Sequence, residues 1–127
     1  MPTVHNRFYE CVFVFDPRST TEARLAILNR IETVIGADNI RQKDDIGLLT
    51  TYYPLKKKSK DLQAYFVSYY INVPPSKIAS IKQEIQFDTE LLRKSFFQMA
   101  ATDKFYTYAE TKKYLDSYFA NEKITHI

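Results

Sequence analysis

The sequence predicts an α+β fold in which a four-stranded antiparallel sheet carries two helices on one face, followed by a C-terminal helical extension. Two observations predict it. Branched and aromatic residues mark four extended segments while apolar residues recur at helical spacing in two others, and these segments follow one another as β-α-β-β-α-β. Two right-handed β-α-β crossovers that share one sheet form the ferredoxin-like sandwich, which leaves one face of the sheet without helices.

The first half of this pattern begins with the aromatic run "RFYECVFVF" (7–15), a predicted strand that ends at Asp16-Pro17. Ser19 and Glu22 have the spacing of a capping box, which predicts a helix from there to Gly36. The buried face of that helix is predicted to hold Ile27, Ile31, Val34 and Ile35. A second strand is predicted within 39–55, and Gly47 in its interior indicates a bulge or a close backbone approach.

The second half begins with a strand predicted at 62–73, which the double proline Pro74-Pro75 ends. Prolines suit the first turn of a helix, and the predicted second helix has one apolar edge of Ile78, Ile81 and Ile85. Residues 90–101 are interpreted as the fourth strand, although their apolar pattern also fits a helix. On the third strand one alternate set is predicted to face the core (Tyr65, Val67, Tyr69 and Ile71) and the other to face away (Phe66, Ser68, Tyr70 and Asn72).

Composition indicates one folded domain with an appendage. The 127 residues are 45% hydrophobic, yet no apolar run approaches the roughly 18–20 residues of a membrane span. The single Cys11 lies in an apolar run, which favours a small buried hydrophobe over a reactive thiol. The opening "MPTVHNRF" has no pattern of a secretory signal or of a cleaved transit peptide, so an uncleaved internal import signal stays open.

The charge of the chain permits an RNA partner without requiring one. Eighteen basic and fifteen acidic residues give a net charge of +3. Lys56, Lys57, Lys58 and Lys60 are concentrated between the predicted second and third strands. Such a cluster is either a solvated turn or a contact for RNA phosphates.

Four segments resemble, in order, the bacterial-type small-subunit ribosomal protein six family (ribosomal protein S-six). They are "RFYE" from Arg7, "DIGLLTTYYPLKK" from Asp45, "AYFVSYYINVPP" from Ala64 and "FDTELLR" from Phe87. The resemblance runs from Arg7 to Ala101. It implies a structural constituent of the small ribosomal subunit, not an enzyme and without a cofactor, that binds the central domain of small-subunit rRNA on the platform and supports assembly and translation.

The resemblance also implies partners and contact residues. The partners are small-subunit rRNA, ribosomal protein S-eighteen and other small-subunit proteins, with no membrane and no homo-oligomer. The expected RNA contacts are Arg7, Tyr9, Lys56, Lys57, Lys58 and Arg93. Two of them have another interpretation from the residues alone: Tyr9 shares the alternation of the buried residues of its strand, and Arg93 fits a surface ion pair.

The sequence departs from the family on the second strand. After Gly47 the family has arginine where this chain has Leu48, Leu49, Thr50 and Thr51, and Ala64 replaces a glycine. Either the RNA is shortened at this place or another protein replaces the contact, and the apolar replacements favour a protein. Together with the richness in tyrosine and phenylalanine and the added tail, this favours a mitochondrial ribosome over a bacterial or plastid one.

The resemblance ends near residue 101, which divides the chain into a ribosomal protein S-six-like domain at 1–102 and an extension at 103–127. Thr107 and Glu110 have capping-box spacing, which predicts a helix. Its aromatic stripe is interpreted as a contact for a neighbouring ribosomal protein, with packing on its own domain as the alternative; the residues are Tyr114, Tyr118 and Phe119. Tyr70, on the helix-free face of the sheet, is a further predicted protein contact.

Two other functions share this element order. An RNA-recognition module outside the ribosome would bind single strands on the aromatic helix-free face, but "QAYFVSY" lacks the glycines of the matching motif. A small-molecule-binding domain or an enzyme would need a site that the sequence does not offer. The only histidines, His5 and His126, lie near the two ends, two glycines cannot form a glycine-rich phosphate loop, and Asp44-Asp45 is interpreted as a solvated strand edge.

Overall fold

A computed structural model describes residues 5–50 and 63–113 of the chain. Its elements follow the predicted order. They are β1 (Arg7–Phe15), α1 (Thr21–Ile35), a short 3-10 helix (Ala37–Asn39), β2 (Ile40–Thr50), β3 (Gln63–Val73), α2 (Pro75–Ile85) and β4 (Leu91–Met99). The predicted fourth strand is confirmed: its mixed pattern resolves because it pairs along its whole length with β1.

The sheet has the strand order β2-β3-β1-β4, and every neighbouring pair is antiparallel. Strands β2 and β4 are therefore its edges. The register sets the two ends of the sheet: Arg7 lies opposite Val73 at one end, and Phe15 lies opposite Tyr65 at the other. These are called the Arg7 end and the Phe15 end below.

One face of the sheet packs against both helices and forms the core. Cys11, Phe13 and Phe15 of β1 are fully buried there, and Tyr69 of β3 is the largest buried side chain. The helices contribute Ile27, Leu28, Ile31 and Ile35 from α1 and Ile78, Ile81 and Ile85 from α2. Each such side chain contributes about 1.5–3 kcal/mol when it is fully buried. The predicted inward set of β3 is confirmed, with Tyr65 half-buried at its end.

The start of α1 differs from the prediction. Thr20, not Ser19, is the N-cap, because its hydroxyl oxygen accepts a hydrogen bond from the Ala23 N–H at 3.1 Å. The Ser19 hydroxyl instead donates to the Asp16 carbonyl oxygen at 2.6 Å. The predicted capping box at Ser19 is therefore wrong: the turn after β1 uses the Ser19 hydroxyl, and the cap moves one residue along the chain.

Both glycines lie where the chain needs a positive φ. Gly36 ends α1 at φ +89°, and its N–H donates to the Glu32 carbonyl oxygen at 2.8 Å. Gly47 has φ +94° where the pairing of β2 with β3 shifts by one residue between Asp45 and Gly47. The predicted bulge is thus confirmed. No helix in the described parts is long and apolar enough to cross a membrane.

Candidate RNA and protein contact surfaces

The predicted RNA contacts lie at opposite ends of the sheet. Arg7 lies at the Arg7 end, whereas Arg93 pairs with Val14 near the Phe15 end. Along β1 this separation is about 24 Å at roughly 3.4 Å per residue. Lys56, Lys57 and Lys58 lie outside the described residues, in the segment between Thr50 and Gln63. Thr50 and Gln63 pair with each other at the Phe15 end of the sheet.

The two predicted contacts on β1 have different surroundings. Arg7 is exposed on the helix-bearing face, and its Nη1 donates to Gln98 Oε1 of β4 at 3.4 Å. Tyr9 is only 8% exposed and packs in the core. Arg7 therefore presents a cation to a ligand, whereas the Tyr9 ring contributes mainly to packing.

Arg93 lies on the helix-free face of the edge strand β4 and is exposed. Within the described residues it makes no ion pair, so the alternative of a surface ion pair finds no partner there. The next residue, Lys94, is also exposed and lies on the helix-bearing face, opposite Phe13. The edge of β4 thus carries a cation on each face.

Two lysines on this side of the molecule were not predicted as contacts. Lys82 of α2 places its Nζ 5.4 Å from the centroid of the Phe96 ring, and Phe96 shares the helix-bearing face of β4 with Lys94. In the sequence, Lys82 and Lys94 look like ordinary surface lysines. The missing signal is the strand order, which makes β4 an edge and brings α2 beside it.

The helix-free face holds a stack of three aromatic rings. Tyr70 lies between Phe8 and Phe105, with ring centroids 5.5 Å apart on both sides and interplanar angles of 27° and 3°. Phe105 belongs to the extension and is only 6% exposed. Tyr70, predicted as a contact for another protein, therefore contacts the extension of its own chain.

The extension continues across this face to β2. The Tyr108 N–H, in the first turn of the extension helix, donates to Asp44 Oδ2 at 2.7 Å. Asp44 lies on an edge strand and is partly exposed, as interpreted, and its carboxylate in addition accepts a hydrogen bond at a helix N-terminus, where negative charge is favourable.

The predicted capping box of the extension helix is confirmed. The Glu110 N–H donates to Thr107 Oγ1 at 3.3 Å, and the Thr107 hydroxyl donates to Glu110 Oε1 at 3.0 Å. The described part of the extension thus packs on its own domain, which was the alternative in the sequence analysis. Tyr114, Tyr118 and Phe119 lie outside the described residues.

The rest of the helix-free face is partly apolar. Phe97 of β4 is 55% exposed and lies opposite Glu10 of β1, which in turn lies opposite Tyr70 of β3. Burial among these neighbours raises the pKa of the Glu10 carboxyl above its usual value. Tyr106, next to the buried Phe105, points outward and is 56% exposed.

A groove of about 290 Å³ lies between α1 and the bulge of β2. Its lining includes Leu28 and Val67 from the core, and Arg24, whose guanidinium carbon lies 3.7 Å from the centroid of the Tyr65 ring. Leu25 lines it as well and is half exposed, as is Leu48 just after the bulge. Leu48 is one of the residues that replace arginine, so the apolar departure on β2 lies beside this groove, whose lining also includes the polar residues Thr21 and Asp45.

The family model of Ribosomal protein S6 matches residues 8–98, from β1 to the end of β4. The chain belongs to the ribosomal protein S6 family. The family and the fold assign it to the structural proteins of the small ribosomal subunit. The match includes β2, although the arginines after Gly47 are absent.

Solved structures agree in fold. The 30S ribosomal protein S6 of Thermotoga maritima is similar, with a TM-score of 0.65 and 18% identity over 74% of this chain and 88% of that one. An uncharacterised protein of the same organism is similar at 13% identity and a TM-score of 0.50, over 75% of this chain and 99% of that one. At these identities the likeness concerns the fold alone.

Proposed function

We propose that this S6-family chain is a structural constituent of the small ribosomal subunit that binds small-subunit rRNA in its central domain, on the platform, and supports assembly and translation without catalysis. The observation that carries the proposal is the family match over the whole sheet and both helices, from residue 8 to residue 98. A folded RNA surface is bound mainly through phosphates and shape, which requires exposed cations on a rigid scaffold. Arg7 and Arg93 are such cations.

In this proposal the residues divide into RNA and protein contacts. Arg7, Arg93 and the lysines at 56, 57 and 58 contact phosphates, with Tyr9 supporting Arg7 from the core. Ribosomal protein S18 and other small-subunit proteins are the protein partners, and the 103–127 extension with Tyr114, Tyr118 and Phe119 contacts one of them. The 1–102 domain carries the RNA contacts. Tyr70 takes part indirectly, because its stack with Phe105 holds the start of the extension in place.

A mitochondrial ribosome is the proposed location. The support is the loss of arginine after Gly47, where Leu48 is half exposed beside the groove between α1 and β2, and the presence of the extension. In a ribosome with shorter RNA and more protein, we expect a neighbouring protein to contact this surface.

Sedimentation of the tagged full chain through a sucrose gradient tests the proposal. We expect the chain to migrate with the small subunit at near-physiological salt, together with small-subunit rRNA and, in the mitochondrial case, organellar rRNA. A chain that stays at the top of the gradient as a small free species would contradict the ribosomal role. Migration with a bacterial or plastid subunit would contradict only the location.

A further inference from the structure

The charges of the two edges of the sheet differ. Strand β4 has two basic residues and no acidic one, and α2 beside it has two basic residues and one acidic residue. The acidic residue of α2, Glu84, lies 3.5 Å from Arg30 of α1 and therefore forms an ion pair with that helix. Strand β2, the opposite edge, has two basic and two acidic residues, and Lys43 is held 3.1 Å from Glu32. Among the strands and helices that the structure describes, β4 and α2 therefore carry an excess of positive charge.

Four cations form a line along this side, here called the basic edge: Arg7, Lys82, Lys94 and Arg93. Arg7 contacts Gln98, and Lys82 lies over Phe96. Gln98, Phe96 and Lys94 alternate on one face of β4, so Lys94 follows Gln98 at a distance of about 13 Å. Arg93 follows directly on the other face. Lys82 and Lys94 therefore fill the space between Arg7 and Arg93.

We infer that the basic edge is one continuous contact for the phosphates of a folded RNA, in which Lys82 and Lys94 connect the separate contacts at Arg7 and Arg93. The inference rests on the proposed function and names which side of the molecule meets the RNA. A line of about 24 Å, at roughly 3.4 Å per strand residue, is long enough to contact several successive phosphates of an RNA helix. Phosphate contacts of this kind fix orientation and carry no base specificity.

Another role for lysines on an edge strand is to prevent pairing with the edge of another sheet. That role needs a charge on β4 itself. It does not account for Lys82, which comes from α2 and whose Nζ reaches the Phe96 ring. The convergence of cations from two elements on the same edge favours an anionic ligand.

The test measures the salt dependence of binding to an A-form RNA duplex of about 24 base pairs, by fluorescence anisotropy of the full chain between about 50 and 300 mM KCl. We expect Lys82→Gln with Lys94→Gln to reduce the slope of log K against log [KCl] by between one and two. The matched control is Arg41→Gln with Lys112→Gln, which removes the same charge. Arg41 is exposed on β2, and Lys112 is exposed in the extension helix, whose first turn at Tyr108 contacts Asp44 of β2, so we expect an unchanged slope.

Three results would overturn the inference. They are an unchanged slope in the Lys82 and Lys94 variant, an equal loss of slope in the control, or self-association of the Lys82 and Lys94 variant in sedimentation velocity with unchanged RNA binding. The last result would assign the lysines to protection of the edge. Failure of the proposed function looks different: the wild-type chain itself would not migrate with small subunits. If the wild type migrates with them and the Lys82 and Lys94 variant resists salt equally well, only the inference fails.

Discussion

At the scale of single residues, Phe105 and Tyr106 are neighbours with opposite surroundings. Phe105 is buried against Tyr70, whereas Tyr106 is 56% exposed. We expect Phe105→Ala to lower the free energy of unfolding by about 1.5–3 kcal/mol, because it removes the buried area of the ring and one partner of the stack. Tyr106→Ala should change it by less than about 0.5 kcal/mol. Urea unfolding followed by circular dichroism measures both, and equal effects would show that the extension does not pack on the sheet.

Cys11 couples stability to pH. Burial, with a smaller contribution from Glu10, raises the pKa of the Cys11 thiol from 9.0 to about 12. Between these values the unfolded chain releases a proton that the folded chain keeps, so the contribution to stability is complete below about pH 9 and is lost as pH rises. We expect the stability difference between the wild type and Cys11→Ala to shrink by about 1 kcal/mol between pH 8 and pH 10.

Urea unfolding of both proteins at each pH measures this difference. Groups that the two proteins share and that do not interact with Cys11 cancel in the comparison. A difference that stays constant across this range would mean that the Cys11 thiol ionises in the folded chain as it does in the unfolded one.

At the scale of elements, the bulge of β2 depends on one backbone conformation. Gly47 has φ +94°, and a Cβ at this position would meet no atom within 4 Å. Gly47→Ala therefore tests backbone strain without a steric clash, and we expect a loss of about 1–2 kcal/mol. Asp45→Ala, on the other side of the register shift and without a positive φ, should cost less than about 0.5 kcal/mol. Thermal unfolding measures both variants. Equal losses in the two would mean that a side chain at position 47 does not strain the bulge.

The extension helix depends on the carboxylate of Asp44. Replacing Asp44 by Asn removes the negative charge next to the first turn and weakens the hydrogen bond from the Tyr108 N–H, which we expect to cost about 0.5–1 kcal/mol. Asp45→Asn is the control, since its side chain lies on the other face. Hydrogen exchange should become faster at the Tyr108 amide in the Asp44 variant alone. Equal exchange rates in the two variants would mean that Asp44 does not hold the helix.

The elements could be predicted from local signals, but their contacts could not. The outward set of β3 was read from alternation, and the bulge followed from a glycine inside a strand. No local signal indicated that Phe105, more than thirty residues after Tyr70, would cover that ring. The same holds for Asp44, whose partner lies 64 residues away. A local signal was also ambiguous at Ser19. Ser19 and the adjacent Thr20 could each cap α1, and Thr20 does so because the Ser19 hydroxyl donates to the turn after β1.

At the scale of the whole molecule, the strand order gives the two edges different surroundings. Within the described residues, edge β4 carries two basic residues and no acidic one, whereas edge β2 has balanced charge and adjoins the groove between it and α1. The sequence alone could not separate these sides, because it shows which residues are charged but not which strands form the edges of the sheet. If the proposed function holds, we expect the β4 edge to contact RNA and the β2 edge to remain available for a protein partner.

Besides its two edges, the sheet has a helix-free face, and the exposed aromatic rings on that face decide its affinity for single-stranded RNA. Single strands bind to such sheets by stacking bases on exposed aromatic rings. Here the Tyr70 ring is already stacked with Phe8 and with Phe105. We therefore expect the full chain to bind a ten-nucleotide oligouridine at least about tenfold more weakly than an RNA duplex at equal salt, as measured by anisotropy.

The variant Phe105→Ala distinguishes two reasons for weak binding of oligouridine: coverage of the face by the extension, and a sheet that has no affinity for bases. Removal of the Phe105 ring uncovers part of the Tyr70 ring. Each base that stacks on such a ring contributes about 1–3 kcal/mol to the free energy of binding. The variant should thus gain affinity for oligouridine by about fivefold or more while its affinity for the duplex stays unchanged. Tight oligouridine binding by the wild type would instead support an RNA-recognition module and mean that the extension leaves the face accessible. An unchanged affinity in the variant would mean that the sheet lacks a stacking surface even when it is uncovered.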